Sequence, residues 1–131
     1  MAFDGLARIG QIHLSVSDVD AAVVFYRDVL GLPFLFRVPR QPMAFFDCDG
    51  VRLYIGEPET EEYRTRGLVY FAVADMDEAH AELSRRGVAF LDEPHVVHRD
   101  DQSEIRMAFF RDPDGNNLAL MTERPLDHGS G

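Results

Sequence analysis

The sequence predicts an α+β fold built from two βαβββ modules, and three observations predict it. Ile12-His13-Leu14-Ser15-Val16-Ser17-Asp18-Val19-Asp20 reads against Val69-Tyr70-Phe71-Ala72-Val73-Ala74-Asp75-Met76-Asp77, 57 residues later. Met43-Ala44-Phe45-Phe46 returns as Met107-Ala108-Phe109-Phe110, 64 residues later, and the copies lead into Asp49-Gly50 and Asp114-Gly115. In both halves the apolar pattern passes from strand-like alternation to helical spacing and back in the same order. Landmarks repeated in one order mark two copies of a supersecondary unit of about 55–60 residues each. The 131 residues are therefore expected to form one domain, with modules at 6–57 and 67–123, a linker at 58–66 and a tail at 124–131.

Each element of the first module has a local reason. Ile12, Leu14 and Val16 alternate with His13, Ser15 and Ser17, as in a half-buried strand over 12–16. Ser17 followed by Asp20 has the form of a capping box, which predicts a helix starting there. Val19, Val23, Tyr26 and Leu30 continue it at helical spacing, Gly31 supplies a left-handed C-cap, and Pro33 prevents a restart. Strands are expected at 34–38, 43–47 and 51–56, the last two joined by the hairpin signal Asp49-Gly50.

The second module repeats the plan. A strand at 68–74 leads to a helix capped by Asp75 with Glu78 and ended near residue 86 by Gly87. Strands follow at 89–91 (with an extension toward 97), 105–111 and 117–122, and Asp112-Pro113-Asp114-Gly115-Asn116 forms the last turn. Polar residues 57–67 link the halves, and residues 126–131 read as a frayed end. One helix covers only one face of a four-stranded sheet. The two modules are thus expected to form a curved eight-stranded mixed sheet, with helices on the outer face and a concave cup on the other.

Composition narrows the function. Thirteen Lys+Arg against 23 Asp+Glu give a formal net charge of −10. Nucleic-acid and anionic-membrane binding both need basic patches, so neither is expected. No apolar run approaches the ~18 residues of a membrane span, and Met1 to Gly10 lacks a signal-peptide core, so a cytoplasmic location is expected. Cys48 is the one cysteine, which excludes an intramolecular disulfide, and the flanking Asp47 and Asp49 disfavour its thiolate.

The twin βαβββ plan, the Ile-His-Leu-x-Val-x-Asp-Val-Asp opening, Phe25-Tyr26-x-Asp28-Val29-Leu30-Gly31-Leu32 and Phe110-Arg111-Asp112-Pro113-Asp114-Gly115-Asn116 together resemble the vicinal oxygen chelate superfamily. That superfamily includes glyoxalases, bleomycin-resistance proteins, extradiol dioxygenases and methylmalonyl-CoA epimerases. The resemblance spans about residues 6–123. It implies homodimers, and in the metal-using members a divalent ion held by a His or Gln in the first strand and a Glu in the last strand of each module. Such an ion would take two adjacent substrate oxygens and steady an enolate as a Lewis acid. Carried onto this sequence, the four positions fall on His13, Tyr54, Tyr70 and Ala119. One good donor among four predicts that no catalytic metal and no other cofactor is bound, leaving Glu57, His95 and His98 as candidates for an unusual site.

Strand parity places His13, Ser15, Arg52, Tyr54, Tyr70, Ala72, Asn117, Ala119 and Met121 on the concave, ligand-binding side. A lining of imidazole, phenols and a thioether suits a flat or hydrophobic organic molecule. The first expectation is accordingly a metal-free binding protein for a small aromatic or hydrophobic ligand. The alternative is a lyase or isomerase acting beside a carbonyl, with His13 as general base and Tyr54 or Tyr70 steadying the oxyanion. Dioxygenase chemistry ranks below both. The bland readings are that His13, Tyr54 and Tyr70 are packing residues, His80 lies on a part-exposed helix, His95 and His98 lie in a solvated hairpin loop, and His128 lies in the tail. Phe34, Phe36, Phe45, Phe46, Phe109 and Phe110 read as core, with one parity set left to wall a pocket.

Overall fold

The structure, a computed structural model, describes residues 3–126. The chain divides between Thr65 and Arg66 into two compact units. In the first, β1 (Gln11–Ser15) leads to α1 (Val19–Val23), which continues as a π-helical turn (Val24–Val29). Then follow β2 (Phe34–Arg37), β3 (Met43–Cys48) and β4 (Val51–Gly56), and a 3-10 turn at Glu61–Tyr63. The strands form a mixed sheet in the order β1-β4-β3-β2, with β1 parallel to β4. The second unit has β5 (Leu68–Ala72), α2 (Met76–Arg85), β6 (His95–Arg99), β7 (Ser103–Arg111) and β8 (Asn117–Pro125), in the order β5-β8-β7-β6. Each module therefore has four strands and a crossover helix, the α+β plan that the repeat implies.

Each unit buries one sheet face under its helix. Tyr26 from the π turn is fully buried beside Phe46, and Phe34 meets Phe46 edge-on at 5.5 Å between ring centroids. Leu14, Leu53 and Ile55 complete that core. In the second unit Phe110, Leu118 and Leu120 take the corresponding places with Met76 of α2. The two tight turns are set by backbone chemistry. Asp49 and Gly50 both have positive φ, 53° and 96°, which is the two-residue hairpin turn whose twist matches its strands. Asp112 accepts the Asp114 and Asn116 N–H groups at 2.9 and 2.8 Å, closing the turn before β8.

Glu104 is the one carboxylate buried among the strands of the described residues, 1% exposed at the centre of its sheet row. Arg99 of β6 and Arg124 of β8 stand directly opposite it in the register and clamp its two oxygens from either side. The paired guanidiniums hold its pKa below the ordinary value.

Several details differ from the sequence expectation. The first N-cap is Asp18, whose Oδ1 accepts the Ala21 N–H at 3.1 Å, not Ser17. Asp20 is drawn instead to Arg37, so no capping box forms. The single helix expected through residue 30 widens after Val23, where the Leu30 N–H reaches back to Phe25 O at 2.9 Å. The strand expected at 89–91 does not form, because the Asp92 side chain takes the Phe109 N–H at 2.9 Å and interrupts the ladder. Pro94 supplies no donor, and pairing begins at His95. His95 and His98 consequently lie on a strand rather than in a loop. β8 runs on to Pro125, into the expected tail; residues 127–131, with His128, lie outside the described residues.

Phe46→Ala removes the ring that joins Tyr26 to Phe34. It is expected to destabilise the protein by about 3–5 kcal/mol, read as a lower urea midpoint by circular dichroism.

Candidate functional site

The face of the first sheet turned away from α1 carries one row of rings that crosses all four strands. His13 on β1 stands opposite Tyr54 on β4, Tyr54 opposite Phe45 on β3, and Phe45 opposite Phe36 on β2. The centroids are 4.2, 5.1 and 4.8 Å apart, and the last two pairs are stacked. Gly56 makes room for this row, since a Cβ there would lie 2.6 Å from Tyr54 Cε1 and 2.4 Å from Pro42 O. Arg52, two residues before Tyr54, shares the face and holds its guanidinium carbon 5.7 Å from the Phe45 centroid and 6.0 Å from that of Phe36.

His13 is fixed at both nitrogens. Nδ1 lies 3.2 Å from Tyr54 O, and Nε2 lies 3.1 Å from Ser15 Oγ. A carbonyl only accepts, so Nδ1 carries the proton and Nε2 receives the Ser15 hydroxyl. Ser15, 5% exposed, is held in turn by Thr65: its Oγ accepts the Thr65 N–H at 2.9 Å, and its N–H donates to Thr65 Oγ1 at 3.1 Å. Thr65 Oγ1 donates to His13 O at 3.1 Å. Burial lowers the His13 pKa, against smaller upward pulls from the Tyr54 carbonyl and Glu59. Burial likewise raises that of Tyr54, whose phenol donates to Glu57 O at 3.3 Å.

The second sheet carries the matching row with one ring missing. Tyr70 of β5 and Phe109 of β7 both stand opposite Ala119 of β8, and their rings meet edge-to-face across it at 6.3 Å. Ala119 is fully buried while Tyr70 is 44% exposed. His95 extends the row, its ring centroid 6.4 Å from that of Phe109. Ala72 pairs with half-buried Met121 on the same face; Asn117 is exposed and accepts from Arg111 Nε at 3.1 Å.

The nine candidate residues thus fall into two groups, each assembled within its own unit: His13, Ser15, Arg52 and Tyr54, then Tyr70, Ala72, Asn117, Ala119 and Met121. Sequence reasoning missed Thr65, whose contacts with β1 span fifty residues and leave no local pattern. It left Phe36, Phe45 and Phe109 in a general aromatic set, which β-register alone could have sorted.

The four positions that correspond to a family metal site do not fit a divalent ion. Both nitrogens of His13 are engaged, Tyr54 is a phenol with a raised pKa, Tyr70 is another phenol, and Ala119 has no donor. Among the described residues no three His, Cys, Asp or Glu side chains converge, Glu57, His95 and His98 included.

Known proteins agree with this architecture. The chain belongs to the Glyoxalase/Bleomycin resistance protein/Dioxygenase superfamily, whose sequence pattern matches residues 8–120. It is 32% identical to the uncharacterised protein YraH of Bacillus subtilis over 128 residues, 86% of this chain and 96% of that protein. It is 30% identical to the metallothiol transferase FosB of Staphylococcus epidermidis, over 87% of this chain and 82% of that one. The structure of TnmS3, an antibiotic binding protein from Streptomyces sp. CB03234, shares the fold with a TM-score of 0.74 at 23% identity, covering 93% of this chain and 100% of that chain. No described helix is long and apolar enough to cross a membrane.

His13 yields a pH prediction. Its folded pKa lies below the ordinary imidazole value of 6.5, so between those two values the unfolded chain binds the additional proton. Stability is therefore expected to fall as pH drops through that window. Thermal melts of His13→Gln across the same range should show a smaller drop, whereas an equal drop in both proteins would mean that the ring does not titrate as described.

Proposed function

We propose that this chain is a small-molecule binding protein that holds an aromatic or hydrophobic organic ligand against its ring-bearing sheet faces without a catalytic metal. The row His13-Tyr54-Phe45-Phe36 carries the reading. Four rings packed against one another across four strands, their planes 25–38° apart, offer a continuous aromatic row for apolar contact, with a guanidinium beside one end and a histidine fixed at the other. The fold serves antibiotic binding in TnmS3, which supports sequestration as the task.

Proton abstraction beside a carbonyl, with His13 as base, is the weaker reading. Nε2 would first have to shed the Ser15 hydroxyl, and the Tyr54 phenol already donates to a backbone carbonyl. Family precedent supports a homodimer, and the composition supports a cytoplasmic setting.

The test pairs ligand screening with metal analysis. A panel of planar aromatic compounds and antibiotics should include members that raise the melting temperature. Tyr54→Ala should weaken the best of them by about 3- to 10-fold, the worth of one aromatic contact. Tyr70→Ala should weaken it if the second face contributes. A panel with no stabilising compound would overturn this reading, and about one equivalent of divalent metal that is lost in His13→Ala would replace it with a metal enzyme.

A further inference from the structure

The ring platform has a charged end that aromatic binding alone does not explain. Every basic residue of this chain is an arginine. Most of them hold a carboxylate: Arg27 on Asp28, Arg64 on Glu61 and Arg106 on Asp77 are examples. Arg52 makes no ion pair or hydrogen bond among the described residues, in a chain whose net charge is −10. Among the described residues its partners are the rings of Phe36 and Phe45, which hold the guanidinium in place without occupying its N–H groups.

Arg52 also lines a cleft of about 550 Å³ at the hairpin end of the first sheet, with Arg8, Gly10, Gln11, Leu35, Asp47 and Gly50. Arg8 is anchored there by one hydrogen bond, Nη2 to Gly50 O at 3.2 Å. Asp47 is turned into the hairpin, its Oδ1 accepting the Gly50 N–H at 3.0 Å. The cleft thus sets two guanidiniums against one carboxylate. Beside them Leu35 and Phe36 are 46% and 44% exposed, apolar surface next to an open planar fork.

We infer that the ligand of this face is a planar aromatic monoanion, its carboxylate taken by Arg52 with Arg8 beside it and its ring laid on Leu35 and Phe36. The inference rests on the binding reading above and names the class of molecule bound. A guanidinium matches a carboxylate with two parallel hydrogen bonds, and a fork already positioned by ring contacts loses little freedom in making them. The lone carboxylate of Asp47 limits the favourable charge on the ligand to about one.

Isothermal titration of the full chain with 2-naphthoate and with its neutral isostere 2-naphthamide tests this. The acid should bind about tenfold more tightly than the amide, with the preference shrinking as salt is raised. Arg52 is exposed, so Arg52→Gln spares the core. In that variant the acid-to-amide preference should collapse to about one, and in Arg8→Gln it should fall by a smaller factor. Equal affinity for both compounds in the parent protein would overturn the anion assignment and leave aromatic binding standing. No binding of either compound would remove both. A preference that survives Arg52→Gln would overturn the role given to Arg52.

Discussion

The parallel pairing of the first and last strand of each module, β1 with β4 and β5 with β8, is the constraint on which the rest of each unit depends. Parallel neighbours need a crossover, and here the helix and two intervening strands provide it. The pairing sets His13 against Tyr54 and Tyr70 against Ala119. Because side chains alternate along a strand, the same register sends Leu14, Leu53 and Ile55 to the helix side. A slip of one residue would exchange core and platform throughout the unit.

The polar groups on the first platform are settled locally. Thr65 returns from the end of the unit to hold Ser15, Ser15 holds His13, and burial lowers the His13 pKa against the upward pull of the Tyr54 carbonyl. This chain of bonds uses the donors and acceptors that a reactive histidine would otherwise offer. Arg52 is the contrast: a guanidinium positioned by rings, with no ion pair among the described residues although Asp47 stands opposite it in the register. The face therefore combines a histidine fixed at both nitrogens with a guanidinium that leaves its N–H groups open.

Much of the fold was legible because it is written twice. The strand-helix boundaries at Asp75 and Gly87, the Asp49-Gly50 hairpin and the Asp112–Asn116 turn each depend on residues close in sequence, and local patterns report them. The failures share a cause. Asp18 takes the cap in place of Ser17, and Asp20, expected to close the box, pairs instead with Arg37, seventeen residues away. The strand at 89–91 was lost to a side chain bonding across to β7, and Thr65 acts over a similar distance in space and a larger one in sequence. Parity sorted the candidate residues by face, but the ring row needed the register, which hydrophobic alternation does not specify between strands.

Ala119 bears on how such a protein could change its chemistry. It is fully buried and stands in register between Tyr70 and Phe109, so a longer side chain there would press on one of those rings. A glutamate at that point would have to displace one of the two rings, and Tyr70, 44% exposed, is the one with solvent to move into.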